Sequence, residues 1–226
     1  MLGTYIWNDM KITHRAHSFW DQMVMTEVFF KNVYDGYKKT IDPKIIIDIG
    51  ANIGCFSLRA SYDHKDAKIY AWEPFQENFN LLQININNNN LLKRIKIFEF
   101  AVGAENLVTM LKVDTNVFNS GGGHLITNEE KQSAISHVTP VGVMDFESVL
   151  NITRHDDIDL VKMDIEGGEY HLLLDNPSEV IKRVKVYVGE SHDKNKDEKM
   201  FKRMEEDGYV VSNEGQIFLF KRRDIV

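Results

Sequence analysis

A chain of 226 residues with 43% hydrophobic content is long enough to bury one substantial core. Its net charge of −7 and pI near 5.6 argue against broad electrostatic binding to a nucleic-acid backbone, though they are compatible with a local basic patch. The single cysteine, Cys55, excludes an internal disulfide, and no run of about eighteen apolar residues marks a membrane span.

The first residues lack the basic and apolar regions of a signal peptide, so a soluble, cytoplasmic protein is expected. Residues 5 to 38 read as two helices, with Phe19, Met23, Val24, Val28, Phe29, Phe30 and Val33 forming a helical stripe and Ser18 available as a cap. On this reading residues 1–40 form a helical cap or lid and residues 41–226 the main domain. Aromatic stripes at helical spacing favour a helix packed across a sheet edge over a lid whose histidines or Trp20 touch substrate.

Residues 44 to 57 organise the rest. Ile45, Ile46 and Ile47 are β-branched without alternation, the character of a parallel strand covered on both faces. The strand breaks into Gly50-Ala51-Asn52-Ile53-Gly54 and a helix opens with Ser57 in its first turn. A dinucleotide fingerprint needs a glycine where Asn52 stands, which weakens a pyrophosphate ligand. Asp48, at the strand end, suits instead a ligand with an ammonium and a sulfonium, such as S-adenosylmethionine. Lys68 to Trp72 forms the next strand, and Glu73 at its end, followed by Pro74, lies where a carboxylate takes up the hydroxyls of an adenosine ribose.

A helix over 75–89 ends in four asparagines, and Ile95 to Ala101 reads as a third strand turning at Ala101-Val102-Gly103. Glu99, Phe100 and Ala101 are placed to frame an adenine. Residues 107–141 read as a hairpin-type insertion, in which Asn119 and His124 flank three glycines and become candidate substrate contacts. Asp145 caps the next helix, and the strand Ile158 to Asp164 ends, like the first, in an acid, followed by Glu166 and a Gly167-Gly168 turn. A fifth strand runs into Glu190-Ser191-His192, an amphipathic helix covers 193–206 with Met200, Phe201 and Met204 inward, and a closing hairpin ends the chain. The expected architecture is α/β: a Rossmann-like, doubly wound, mostly parallel seven-stranded sheet with helices on both faces and a C-terminal antiparallel hairpin.

Ile47-Asp-Ile-Gly-Ala-Asn-Ile-Gly54 with Ser57, Trp72-Glu73-Pro74, Ala101-Val102-Gly103 and Lys162-Met-Asp164-Ile-Glu166-Gly167-Gly168-Glu169 together resemble the FkbM family of S-adenosylmethionine-dependent methyltransferases over residues 44 to 192. The resemblance implies a class I fold, this cofactor and a backbone contact to adenine near Ala101. Convergence of Asp48, Asp164 with Glu166, and Glu190 with His192 at neighbouring strand tips is the sequence's own argument for a site.

Methyl transfer from a sulfonium is an in-line displacement, so the chain must align the acceptor and remove a proton. His192, read as a neutral imidazole, is assigned general base, with Glu190 or Asp164 orienting it. Glu166 is a candidate for the methionine amine or for substrate hydroxyls. Asp164 and Glu190 together suit Mg²⁺, but direct positioning by Asp164 and Glu166 is favoured over a metal. The expected acceptor is a hydroxyl on a sugar or other polar small molecule. An RNA methyltransferase and a non-catalytic module that binds S-adenosylmethionine or adenosine are the alternatives.

Overall fold

The computed structural model describes residues 1–113, 124–125 and 137–226. It opens with β1 (Leu2–Trp7) and β2 (Met10–Arg15), an antiparallel pair with Leu2 opposite Arg15 and Trp7 opposite Met10. The expected helices therefore begin only after residue 15. Along β1, Tyr5 and Trp7 pack inward while Leu2 and Ile6 are exposed, a period of two, and Asn8 turns the chain at a φ of 52°.

The first helix, α1 (Phe19–Thr26), starts at Ser18, whose Oγ accepts the Asp21 N–H at 3.1 Å, as expected. A π-helical turn (Glu27–Lys31) and a 3₁₀ turn (Asp35–Lys39) lead to the sheet. Phe19 and Phe30, assigned to the apolar stripe, are exposed, whereas Met25, Val28 and Phe29 are buried.

The remaining elements are β3 (Ile45–Ile49), α2 (Cys55–Asp63), β4 (Lys68–Trp72), α3 (Gln76–Asn88), β5 (Ile95–Phe98), β6 (Ala101–Gly103), β7 (Leu107–Val113), β8 (His124–Leu125), β9 (His137–Asp145), α4 (Phe146–Ile152), β10 (Ile158–Met163), α5 (Gly168–Asp175), α6 (Ser178–Ile181), β11 (Val184–Glu190), α7 (Lys194–Glu206), β12 (Tyr209–Glu214) and β13 (Ile217–Arg222). Seven strands form one sheet in the order β12-β13-β11-β10-β3-β4-β5, in which only β13 runs against its neighbours. This is the doubly wound Rossmann-like sheet with a closing hairpin. The winding direction reverses between β3 and β10, and in such sheets a crevice opens outside the carboxyl ends of the strands at that point.

Both faces of β3 are covered. Ile46 belongs to the layer under α2 and α3, while Ile45, Ile47 and Ile49 pack with Phe146, Leu172 and Met200 on the opposite side. A fully buried isoleucine contributes about 1.5–3 kcal/mol, so this unbroken apolar run anchors the sheet.

The third strand is shorter than expected. β5 stops at Phe98, Glu99 and Phe100 are exposed, and β6 leaves the main sheet to pair in parallel with β9. Ala101 to Gly103 is thus a strand of a second sheet, ordered β6-β9-β7-β8, and not a turn. β7 and β9 pair antiparallel, with Leu107 opposite Val143, in the expected hairpin insertion. Asn119 lies outside the described residues, and His124 is described only as part of β8.

The N-terminal hairpin docks on α3 through asparagines. Buried Asn85 accepts the Thr13 N–H at 2.6 Å and donates to the carbonyls of Thr13 and Ile53 at 3.0 and 2.8 Å. Asn89 brackets the backbone of Lys11 in the same way. A side-chain amide thereby pairs with the β2 backbone as a neighbouring strand would. Among the described residues no helix is long and apolar enough to cross a membrane.

Candidate active site

A cavity of about 900 Å³ opens at the carboxyl ends of β3, β4 and β10. The loop Gly50-Ala51-Asn52 bounds it on one side, Glu73 and Pro74 on a second, Phe100 and Ala101 on a third, and Asp164 and Glu166 at the far end.

Glu73 joins the two loops that carry it. Its carboxylate accepts the backbone N–H of Asn52 at 2.8 Å and of Phe75 at 2.9 Å, and the Asn78 side chain hydrogen-bonds to it. Three of about four acceptor positions are thus used, leaving room for one ligand hydroxyl where the sequence reading gave two. Burial raises the Glu73 pKa to about 7, against the opposing effect of those donors. Phe100 lies against Gly142 of β9, and Trp72 stacks on Phe98 at 4.5 Å just inside the wall.

Two residues expected in the cradle lie beneath it. Asp48 is fully buried and accepts the Ser57 hydroxyl at 2.7 Å. Its other partner is Lys162, whose Nζ stands 3.4 Å away and donates to the Gly50 carbonyl at 2.9 Å. Asp48 and Ser57 therefore brace the glycine loop from below instead of meeting the ligand. Lys162, in the middle of a buried strand, was the unread partner, and a charged residue between Val161 and Met163 is a legible signal for one. Burial opposes its charge, but the Asp48 and Asp164 carboxylates raise its pKa above the ordinary lysine value.

The two glycines also serve packing. A Cβ on Gly50, at a φ of 73°, would lie 2.0 Å from the Asp164 carbonyl oxygen, so only glycine lets the tips of β3 and β10 touch. Gly54, at a φ of 92°, meets Leu82 of α3 and does not line the cavity. Asn52 takes the left-handed conformation at a φ of 52° and turns its own N–H toward Glu73. Glu99 is exposed and outside the wall.

At the far end the carboxylates gather around an imidazole. His192 Nδ1 lies 3.0 Å from buried Glu169, while its Nε2 lies 3.6 Å from Asp164 and 3.8 Å from Glu166. Although burial opposes it, the hydrogen bond to Glu169 and the charges of Glu169, Asp164 and Glu166 raise the His192 pKa to about 9. In this arrangement the ring is an imidazolium at neutral pH, which corrects the reading of His192 as a neutral free base.

Burial, with Asp164 and Glu190 adding to it against His192, raises Glu166 to about 7. Burial and then Asp164 raise Glu190 as well. Glu166 itself holds a φ of 53°, a conformation that costs a non-glycine residue about 1–2 kcal/mol.

Sequence reasoning missed two more residues of the wall. Glu27 reaches it from the π-helical turn, and Tyr34 donates its hydroxyl to Asp164 at 3.1 Å. Neither stands in a motif, because both arrive by tertiary packing of the segment before the sheet.

The family model for the methyltransferase FkbM domain matches residues 48–211. The chain belongs to the FkbM methyltransferase family. The curated methyltransferase sdnD of Sordaria araneosa is 26% identical over 177 residues, covering 67% of each chain. Among solved structures, methyltransferase FkbM from Methylobacillus flagellatus KT is similar with a TM-score of 0.51 and 16% identity, over 80% of this chain and 44% of that one. An O-methyltransferase family protein from Burkholderia thailandensis has a TM-score of 0.50 and 12% identity, over 90% and 58%. The methyltransferase domain of METTL16 has a TM-score of 0.50 and 15% identity, over 88% and 68%. At these identities the structures share the fold.

Proposed function

We propose that this FkbM-family chain transfers a methyl group from S-adenosylmethionine to a hydroxyl of a sugar or other polar small molecule. The observation that carries the reading is a single cavity walled by Gly50-Ala51-Asn52 and Glu73 at one end and by Asp164 and Glu166 at the other. The first end fits the cofactor: a loop whose backbone reaches the cavity, a buried carboxylate with an acceptor position left, and an apolar edge at Phe100 and Ala101. Glu73 would hold a ribose hydroxyl, and Ala101 would frame the adenine. The bound cofactor supplies an electrophilic methyl group on a sulfonium.

The chain's own residues do the rest. Asp164 and Glu166 orient the acceptor hydroxyl toward that methyl, and Glu166, which lines the cavity beside His192, receives its proton. The imidazolium of His192 keeps the carboxylates from repelling one another. An end carrying Glu27, Asp164 and Glu166 disfavours a polyanionic acceptor such as RNA.

Calorimetry with S-adenosylmethionine, followed by transfer of labelled methyl to a panel of hydroxylated acceptors and to RNA, tests the reading. Binding with transfer to a hydroxyl compound is the expected outcome. Absence of cofactor binding would sink the proposal, transfer to RNA alone would replace the acceptor, and binding without transfer to any acceptor would leave a binding module.

A further inference from the structure

We propose that Asp164, Glu190 and His192 form a binding site for a divalent transition ion of the Mn²⁺ type. The three groups come from the tips of β10 and β11, and one ligand atom of each lies within 4.8 Å of the others. His192 Nε2 stands 3.6 Å from Asp164 Oδ1, too far for a hydrogen bond and close enough for both to share one ion, which on binding displaces the Nε2 proton to solvent and takes over the imidazolium's charge among the carboxylates.

The surroundings orient two of the ligands from outside the trio. Glu169, fully buried on α5, takes the other ring nitrogen at 3.0 Å and the His192 backbone N–H at 3.2 Å, so Nε2 is the nitrogen turned toward Asp164. A carboxylate behind a histidine in this way is the usual outer support of a metal-ligating imidazole. Tyr34 occupies Asp164 Oδ2 at 3.1 Å and leaves Oδ1 on the histidine side. The Glu190 carboxylate has no hydrogen bond among the described residues, although burial and the charge of Asp164 bear on it.

Ligand chemistry selects the ion. Two carboxylates alone would suit Mg²⁺, which the sequence suggested for Asp164 and Glu190, but Mg²⁺ prefers an all-oxygen shell. An imidazole as third ligand shifts the preference to Mn²⁺ and the later first-row ions. Three protein ligands leave positions open, and Asp164 brings the site to the cavity wall. An acceptor hydroxyl in an open position would lose its proton more readily. That use of the ion rests on the methyl-transfer reading; ion binding itself does not.

The test is titration of the metal-free full chain with Mn²⁺, followed by loss of the free-ion electron paramagnetic resonance signal, with Mg²⁺ as competitor. One Mn²⁺ per chain is expected, held more tightly than Mg²⁺. His192→Gln and Glu190→Gln should each weaken it at least about ten-fold while melting as cooperatively as the parent. Glu73→Gln should leave Mn²⁺ binding unchanged while weakening S-adenosylmethionine. No Mn²⁺ binding up to about 1 mM, equal binding by the two ligand variants, or a preference for Mg²⁺ would each overturn the site. Mn²⁺ binding by a chain that ignores S-adenosylmethionine would keep the metal site and remove the methyl-transfer reading.

Discussion

Glu73 is pulled two ways: backbone donors favour its carboxylate and burial favours its acid, which places its titration at about 7. A ribose hydroxyl is best accepted by the ionised form. The ionised fraction rises about ten-fold between pH 6 and pH 8 for a group of this pKa, so cofactor affinity should rise about ten-fold over that range. Stability runs the other way: the folded chain holds a proton on Glu73 that the unfolded chain releases near 4.5, so folding loses this contribution as pH climbs from about 4.5 to about 7. Calorimetry across pH checks the binding arm, and Glu73→Gln should flatten it; a profile of the same slope in that variant would move the effect to another group.

Lys162 offers a second residue-scale expectation. It and Asp48 are both buried, and removing one partner of such a pair leaves an uncompensated charge worth about 3–5 kcal/mol. Lys162→Met should lower stability by that order in a denaturant titration; a loss under about 1 kcal/mol would mean that the buried pair contributes little to the fold. The sequence made Asp48 visible as an acid at a strand end but not its direction. Strand alternation decides that direction, because Asp48 shares the α2 face with Ile46.

At the scale of elements, the β1–β2 hairpin reaches the Glu73 end of the cavity through a chain of polar contacts. Arg15 on β2 pairs with buried Asp21 and donates to the side-chain Oδ1 of Asn78 at 2.8 Å, and Asn78 in turn bonds to Glu73. Fixing one end of an amide fixes what the other end offers. Arg15→Met is therefore expected to raise the cofactor Kd several-fold, about 1 kcal/mol, with the acceptor end unaffected; unchanged affinity by calorimetry would confine Arg15 to docking α1.

The hairpin was illegible because the apolar stripe beginning at Phe19 outweighed the alternation before it, although Asn8-Asp9 is a turn cue. The asparagines of α3 hid the same contact. Their run reads as a helix stop, which Asn90 at a φ of 57° fulfils, yet Asn85 and Asn89 spend their amides on β2.

For the molecule as a whole, the mostly parallel sheet and its layers were readable because β3 is a continuous apolar run and β4, β5, β10 and β11 are mostly apolar, each followed by a polar turn. The second sheet was not, since β6 pairs with a strand more than thirty residues later and neither carries a signal naming its partner. Closure of the main sheet at its far edge depends on the last two strands: β13 covers β11 and brings Phe218 and Phe220 into the core. Ending the chain at Asp207 should uncover the edge of β11 and produce aggregation, seen as loss of the monodisperse peak in size-exclusion chromatography. A soluble truncated chain with an intact cooperative melt would show that the five inner strands suffice.

The contact of Gly50 with the Asp164 backbone welds the two ends of the cavity together, so they cannot drift apart without breaking the main sheet. Adjustability is left to the opposite jaw, where β7 and β9 supply Leu107 and Val143. On the proposed reading, an engineer wishing to change which molecule is methylated should start at that jaw, keeping Gly142 of β9, against which Phe100 packs.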